Sequence, residues 1–360
     1  MNNYIYFLKN IYLDLIINTK YIKSIIILPF AFVLVKFTKK NKHKKPIFLS
    51  FIKYTSQEKK QKYKNNYQVI ESIREAGYDF NFINIDVNDK VYRKIFYNIF
   101  MFIKIIKLNP KYIYFFSDIQ PNGTYPNIIV FYLVSKLIKC KTICISHDYV
   151  WKINYKYMLF HQKLFSTVLA QPYAYFKNKT KIRFAEPWFA TKKLLVKPTK
   201  KRNINLLFVG RKDGDKLREI YLNKLIKDGF NIEIFGPGFK KVLTSREYKR
   251  KYSKTKIALS FTARDKNPNL QFLNCSRGRT LEAMSFGCLL LEERNWVTSL
   301  LFKKGIHYDE FKNYKDLKSK INYYLDNYEK NGQKIASDGQ NYFLRRYAPK
   351  IMWKNIFDRI

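Results

Sequence analysis

Strand patterns and helix patterns alternate along most of this chain, and that alternation constrains its fold more than any other feature. Short apolar runs, typical of buried strands, are separated by longer amphipathic stretches, typical of helices. Such alternation predicts parallel sheets with helices on both faces. We place strands at Ile47–Tyr54, Phe80–Val87, Tyr112–Phe116, Lys141–Ser146, Asn205–Val209, Asn231–Phe235, Ile257–Phe261 and Cys288–Leu291. The predicted helices are Glu58–Ala76, Val91–Leu108, Pro126–Lys139 and Lys216–Lys227.

The predicted elements divide into two halves. The chain has 360 residues, which is enough for two domains of ordinary size. A connector rich in lysine and proline, Arg183–Lys201, separates them. We therefore predict an α/β fold in which two Rossmann-like domains face each other across a cleft. The predicted divisions are an apolar, basic helical segment at 1–45, a first domain at 46–190, a second domain at 200–345 and a C-terminal helix at 346–360 that returns to the first domain.

The charge balance is strongly basic. The chain carries 69 lysines and arginines against 27 acidic residues, a formal net charge of +42. This excess favours a polyanionic partner, but the lysines are scattered and no known nucleic-acid-binding motif accompanies them. We therefore expect no nucleic-acid partner. The four cysteines have no metal-ligand spacing and only four histidines are present, so we predict reduced thiols, no cofactor and a cytoplasmic protein.

The N-terminal segment is apolar and then basic. Ile25–Val35 is an uninterrupted apolar run of 11 residues, short of the ~20 that a membrane-spanning helix needs. The sequence after it, KFTKKNKHKK, holds six lysines, which favour anionic lipid headgroups. We expect a peripheral attachment to the inner face of the membrane. A buried helix of the first domain and a single short span are the alternatives.

The segment from Asn274 to Glu293, NCSRGRTLEAMSFGCLLLEE, contains a predicted helix whose first turn breaks a local rule. Ser276 is a good N-cap and Gly287 a good C-cap for this helix. Arg277 and Arg279 nevertheless oppose the positive end of the helix dipole, at a cost of roughly 0.3–1 kcal/mol each. A conflict of this kind is expected where a ligand is missing.

A bound phosphate at this helix start would remove the conflict. It would accept hydrogen bonds from backbone N–H groups and two guanidinium groups, and Gly278 would let it approach closely. One turn further on, Glu282 could accept hydrogen bonds from ribose hydroxyls. The alternative is an Arg279–Glu282 pair on a solvated helix face.

The same segment resembles the donor half of GT-B glycosyltransferases. The block GRTLEAMSFGCLLLEE, with Phe302, Gly305 and Phe311 after it, is similar to the spore-maturation and spore-coat branch, which is related to the large group 1 family. The resemblance covers about 205–347 and implies a GT-B fold with a nucleotide-sugar site. Group 1 enzymes usually carry a sugar-contacting glutamate where this chain has Asn274. Together with the local argument, the resemblance predicts donor contacts from Asn274, Ser276, Arg277, Gly278, Arg279, Thr280 and Glu282.

The loop GRKDGDKLR, after the strand Asn205–Val209, is a second predicted phosphate contact. In group 1 relatives an arginine and a lysine of this loop hold the donor diphosphate, and Arg211 and Lys216 match that spacing. In the spore-coat branch Arg218 is the better match. A solvated basic loop is the alternative. Asp213-Gly214-Asp215 also spells the metal-binding D-x-D motif of GT-A enzymes, but we interpret it as a helix cap and predict no metal.

Two residues of the first half are candidate catalytic groups. His147 follows the strand Lys141–Ser146, and GT-B relatives often present a histidine from the acceptor domain to the donor sugar. Asp118 follows Tyr112–Phe116 and is a candidate base. For His147, a solvent-facing side chain beside a helix cap at Asp148 is the alternative.

These features predict a glycosyltransferase that moves a sugar from a nucleotide-diphosphate donor to a surface-polysaccharide or lipid-linked acceptor. Its expected partners are that donor, that acceptor and an anionic membrane surface. The sequence does not choose between retention and inversion of the anomeric configuration. The alternative classes are a polyanion-binding protein and a non-catalytic scaffold with the same fold.

Overall fold

The computed structural model describes residues 33, 47–53, 71–85, 103–116, 138–146, 165–170, 182–184, 190, 201–212, 216–239, 241–261 and 278–358. Within these ranges the strands form two sheets, and every neighbouring pair of strands is parallel. The predicted α/β fold class is therefore confirmed.

The first sheet contains the strands β1 Ile47–Lys53, β2 Asp79–Ile85, β3 Tyr112–Phe116, β4 Lys141–Ser146, β5 Thr167–Ala170 and β6 Ile182–Phe184. Their order across the sheet is β2-β1-β3-β4-β5-β6. In β3, the consecutive residues Tyr112, Ile113 and Tyr114 are all buried. Because successive side chains of a strand point to opposite faces, both faces of the sheet are covered here, as is typical of parallel sheets.

The second sheet contains β7 Ile204–Val209, β8 Ile232–Phe235, β9 Thr255–Ser260, β10 Leu289–Glu293 and β11 Asp309–Phe311, in the order β11-β10-β9-β7-β8. Every residue of β10 is buried, including its two glutamates. Parallel strands end at the same edge of a sheet, so the loops that follow β7, β9 and β10 leave from one edge.

The described helices of the second half are α1 Lys216–Lys227, α2 Ser245–Ser253, α3 Gly278–Ser285, α4 Trp296–Leu301, α5 Tyr314–Asp326, α6 Gln333–Arg346 and α7 Pro349–Phe357. A single π-helical turn, Tyr328–Gly332, connects α5 to α6. In the first half, the structure also describes helical residues at 71–75 and 103–108.

The turn from α3 into β10 has the glycine cap that the sequence predicts. Gly287 has a φ of 65°, a backbone conformation that costs glycine little but other residues more. The Gly287 N–H donates to the Met284 carbonyl at 2.9 Å, and the Cys288 N–H donates to the Ala283 carbonyl at 3.0 Å. This pair of hydrogen bonds satisfies the last carbonyls of α3 and directs the chain into the sheet.

The C-terminal helix α7 packs on the first sheet. Trp353 is fully buried, and its indole N–H donates to the Ser72 hydroxyl at 3.0 Å. The Phe357 ring stacks on the Tyr112 ring with 4.0 Å between centroids. These contacts make one continuous apolar cluster from residues of both halves.

Several elements differ from the sequence expectations. The sequence analysis does not predict the helices α2, α4 and α6 or the strands β5 and β11, and β6 includes Arg183 of the predicted connector. Four of the nine residues of α2 are cationic, so its hydrophobic pattern is weak, although Thr244 and Glu247 form a capping box at its start. That capping box was a readable signal in the sequence.

No helix in the described part of the chain is long and apolar enough to cross a bilayer. The predicted membrane segment at 1–45 lies outside the described residues, apart from Val33. Membrane attachment therefore stays a prediction.

Candidate functional site

The second sheet has a crevice at the carboxyl ends of β7 and β9. From β7 the chain passes to β8 on one side, whereas β9 lies on the other side of β7. The connections after β7 and β9 therefore leave the sheet in opposite directions. In open α/β sheets, ligands bind in the crevice that forms at such a switch point.

The loop after β7 is held in place by backbone hydrogen bonds. The Gly210 N–H donates to the Phe235 carbonyl at 2.8 Å, and the Lys212 N–H donates to the Pro237 carbonyl at 2.9 Å. These bonds join the loop to the last residue of β8 and to the turn after it. One wall of the crevice is thus a fixed backbone surface.

Two arginines from different helices meet at the end of β7. Arg218, in the first turn of α1, is 6% exposed, and its Nη2 donates to the Lys212 carbonyl at 3.1 Å. Its guanidinium carbon lies 5.6 Å from the centroid of the Phe208 ring. Arg279, in the first turn of α3, places its guanidinium carbon 5.3 Å from the same centroid. The Phe208 ring therefore brings together two cations that are 61 positions apart in the sequence.

Gly210 allows Arg279 to take this position. A Cβ atom added at Gly210 would lie 2.4 Å from Nη1 and 2.8 Å from Cζ of Arg279, well inside contact distance. It would also lie 2.9 Å from Cζ of Phe208. A side chain at position 210 would displace the guanidinium group, so glycine is needed here for close approach.

The start of α3 keeps the charge conflict seen in the sequence. The described part of the helix begins at Gly278 with Arg279 next, and its first turn contains no acidic residue. The positive end of the helix dipole and two guanidinium groups therefore point to the same crevice. This arrangement is suited to binding an anion.

Glu282 lies one turn into α3 and is only 9% exposed. The Tyr248 hydroxyl, from α2, donates a hydrogen bond to Glu282 Oε2. Burial and the adjacent Glu282 charge raise the pKa of Tyr248 well above its usual value, so the phenol keeps its proton. Because Glu282 is nine-tenths buried, it does not lie on the solvated helix face that the alternative interpretation requires.

A second buried carboxylate, Glu292, is hydrogen-bonded to residues that border the crevice. Glu292 on β10 is 1% exposed, and its Oε1 accepts hydrogen bonds from Thr280 Oγ1 at 2.6 Å and Ser260 Oγ at 3.1 Å. Burial raises the Glu292 pKa, while the hydroxyl donors oppose that shift. The network joins the end of β9 to the first turn of α3. Sequence reasoning missed it because the predicted strand ends at Leu291, which leaves Glu292 outside the buried run.

Comparison with known proteins identifies this architecture. Residues 216–358, less than half of the chain, match the family model described as glycosyl transferase-like. A structure of HepE from Anabaena in complex with UDP and glucose superposes with a TM-score of 0.56 at 10% identity, covering 88% of this chain and 100% of HepE. A glycosyltransferase structure from Rickettsia africae superposes with a TM-score of 0.53 at 13% identity, covering 88% of this chain and 98% of that one. This chain has the GT-B fold. A search of curated proteins finds no match.

The GT-B resemblance stated from the sequence is confirmed at the level of fold, while the spore-coat branch stays a prediction. Within the GT-B fold, Gly278, Arg279 and Arg218 lie at the crevice. Arg211 is exposed on the loop after β7, and Lys216 is the first residue of α1. The Thr280 side chain is fully buried and its hydroxyl is bonded to Glu292, so that hydroxyl faces the protein interior.

The remaining predicted site residues lie outside the described part of the GT-B fold: His147, Asp118, Asn274, Ser276 and Arg277. The same is true of Asp213-Gly214-Asp215. In the part of the chain that the structure describes, histidine, cysteine and carboxylate side chains form no group able to hold a metal ion. Sequence reasoning also missed Tyr248 and Phe208, which act on the predicted residues through contacts that only the folded chain makes.

Proposed function

We propose that this protein is a glycosyltransferase that uses a nucleoside-diphosphate sugar as its donor. The observation that carries the proposal is the convergence of Arg218 and Arg279 on the crevice beside Gly210. The crevice lies at the switch point of a parallel sheet, next to a helix start, where dinucleotide and nucleotide phosphates bind in other α/β proteins.

Two guanidinium groups suit the leaving group of glycosyl transfer. As the bond between sugar and diphosphate breaks, negative charge develops on the diphosphate, and fixed cations stabilise that charge. A hydrogen bond between charged groups contributes about 1.5–3 kcal/mol. Arg218 is buried and Arg279 is packed on a fixed ring, so both are held in place before the donor binds. The exposed Arg211 is able to reach the diphosphate from the open side of the crevice.

We assign the ribose to Glu282, whose carboxylate accepts hydrogen bonds. Gly278 and the backbone at the start of α3 would lie closest to the phosphates. Asn274, Ser276 and Arg277 precede that helix directly and are proposed as donor contacts on the sequence argument. His147 and Asp118 are proposed as the groups that act on the sugar and the acceptor from the first domain. Neutralisation of the diphosphate by arginines would make a metal ion unnecessary, so turnover should persist in EDTA.

The proposed acceptor is a surface polysaccharide or a lipid-linked saccharide at the inner face of the cytoplasmic membrane. The apolar N-terminal segment and the lysines after it support this location. A lipid-linked acceptor would be held at that same surface.

The proposal is tested by a thermal-shift panel of UDP-, GDP-, dTDP- and CMP-sugars. A ligand at 100 times its dissociation constant stabilises the folded state by ~2.7 kcal/mol, which is a measurable shift in Tm. We expect one nucleotide class to stabilise the parent protein and to lose most of that effect in Arg218→Gln. Arg345→Gln, which removes an exposed arginine on α6, is the matched control for lost charge. Equal shifts in both variants would place the donor elsewhere.

Turnover distinguishes an enzyme from a scaffold with the same fold. The stabilising nucleotide sugar should release its nucleoside diphosphate when incubated with membranes or saccharide extracts. Binding without any release would favour the scaffold.

A further inference from the structure

The helix α2 contacts α3 through two tyrosines. Tyr248 and Tyr252 are one turn apart, 8% and 2% exposed, and their ring centroids are 4.6 Å apart. The Tyr252 ring also stacks on Phe286, just after α3, at 5.3 Å. The opposite face of α2 carries the exposed cations Arg246 and Arg250. The tyrosine face therefore holds α2 against the helix that carries Glu282.

Packing alone does not explain the phenol group of Tyr248. A phenylalanine ring would fill the same space, whereas burying a hydroxyl is unfavourable unless it is hydrogen-bonded. Here the hydroxyl donates to Glu282 Oε2, between two side chains that are each about nine-tenths buried. A hydrogen bond from a fixed ring to one carboxylate oxygen restricts rotation of the whole carboxylate, so the orientation of Glu282 depends on Tyr248.

We propose that Tyr248 is a positioning residue that orients the Glu282 carboxylate toward the ribose hydroxyls of the bound nucleotide. The inference rests on the proposed function, because it requires that the crevice binds a nucleotide. Burial and the Glu282 charge raise the pKa of Tyr248, so the phenol keeps the proton that it donates to the Glu282 carboxylate. Tyr248 itself need not touch the ligand.

The test compares ribose with dideoxyribose. UDP and GDP, and the 2′,3′-dideoxy form of each, are titrated into the full-length parent protein and into Tyr248→Phe. For the nucleotide that binds, the parent should prefer the ribose form by about 10-fold or more, since Glu282 is a charged acceptor. In Tyr248→Phe we expect most of this preference to be lost and the affinity for the dideoxy form to stay unchanged. A merely structural defect would instead lower both affinities together, and that result would overturn the proposal.

Tyr324→Phe is the matched control. Tyr324 is also a buried tyrosine of the second domain, and its hydroxyl donates to the Asp309 carboxylate at 2.9 Å. Tyr324→Phe loses the same type of hydrogen bond, but at a position that is distant in sequence from the loops after β7 and β9. It should therefore keep the parent's preference for ribose. A ribose preference that persists in Tyr248→Phe would also overturn the proposal.

Glu282→Gln provides a second test that does not depend on how well Tyr248→Phe folds. The amide is neutral, so removing the phenol in this background leaves no buried charge without its donor. We expect Glu282→Gln to lose the ribose preference and the added Tyr248→Phe change to alter it no further. If the parent binds neither UDP nor GDP, the proposed role of Tyr248 fails, while the thermal-shift panel decides separately whether the proposed function stands. If the parent binds a nucleotide without preferring ribose, the assignment of Glu282 fails while the phosphate site stands.

Discussion

Replacing Gly210 by alanine should disturb the phosphate site without touching a charged residue. The new Cβ atom would lie 2.4 Å from Arg279 Nη1 and 2.9 Å from Phe208 Cζ. Ordinary contacts between such atoms are about 3.5 Å or longer, so a displacement of about 1 Å is required. Phe208 is fully buried and packs edge-on against Phe261 at 5.6 Å, so its ring has little freedom to move. Arg279 is therefore the group that moves.

Two magnitudes follow from that displacement. Because the displaced group is the free end of a flexible side chain, the free energy of unfolding should fall by only about 1 kcal/mol, the low end of the cost of overpacking. A guanidinium group moved by about 1 Å also loses its phosphate hydrogen bond, which is worth about 1.5–3 kcal/mol, or about 10- to 150-fold in donor affinity. Urea unfolding and calorimetric titration of Gly210→Ala measure the two effects separately.

A double-mutant cycle with Arg279→Gln tests the cause. Glutamine is shorter than arginine and places no guanidinium group beside position 210. In the Arg279→Gln background, Gly210→Ala should therefore cost less free energy of unfolding and should lower the donor affinity little further. Coupling energies between contacting residues are typically 0.5–3 kcal/mol. Additive effects in the cycle would refute the contact between Gly210 and Arg279 as the source of the loss.

Two further predictions concern parts of the molecule away from the diphosphate. Burial raises the pKa of Glu292 in the folded state, so the parent should lose stability as the pH rises from about 4.5 through the folded pKa. The variant Glu292→Gln keeps an acceptor for Thr280 and Ser260 and should lose less stability over the same pH range. Equal pH slopes of the two proteins in urea unfolding would contradict this. Deleting residues 1–40 should lower sedimentation with anionic phosphatidylglycerol vesicles while nucleotide affinity is kept, whereas undiminished vesicle binding would argue against an N-terminal attachment.

The sequence predicts several strands of this fold well. Tyr112–Phe116 and Lys141–Ser146 are predicted with the bounds that the structure has, because each is a short, largely apolar run between longer amphipathic stretches. The helix α2 escapes prediction because Tyr248 and Tyr252 are almost its only apolar residues. Their burial depends on α3, which lies 30 residues later, and no local pattern contains that information.

The candidate site is predictable in its residues but not in its geometry. Arg218 and Arg279 each follow a predicted strand of the second half, so both were expected at one edge of a sheet. Their meeting on the Phe208 ring depends on strand order, which places β7 beside β9. Likewise, Glu282 was expected to contact a ligand directly, but its hydrogen bond from Tyr248 arises only when α2 packs against α3.

The most direct test of the account is the replacement of Arg279 by glutamine, measured in the empty and the liganded protein. In the empty protein, the replacement relieves the conflict with the helix dipole, which stabilises the fold by about 0.3–1 kcal/mol. It also removes the contact with the Phe208 ring, which costs about 0.5–1 kcal/mol. The two effects offset each other, so the free energy of unfolding should hardly change. With the nucleoside diphosphate that stabilises the parent, calorimetric titration should show an affinity about 10- to 150-fold weaker. Unchanged affinity in Arg279→Gln would contradict the central claim that this crevice binds the donor diphosphate.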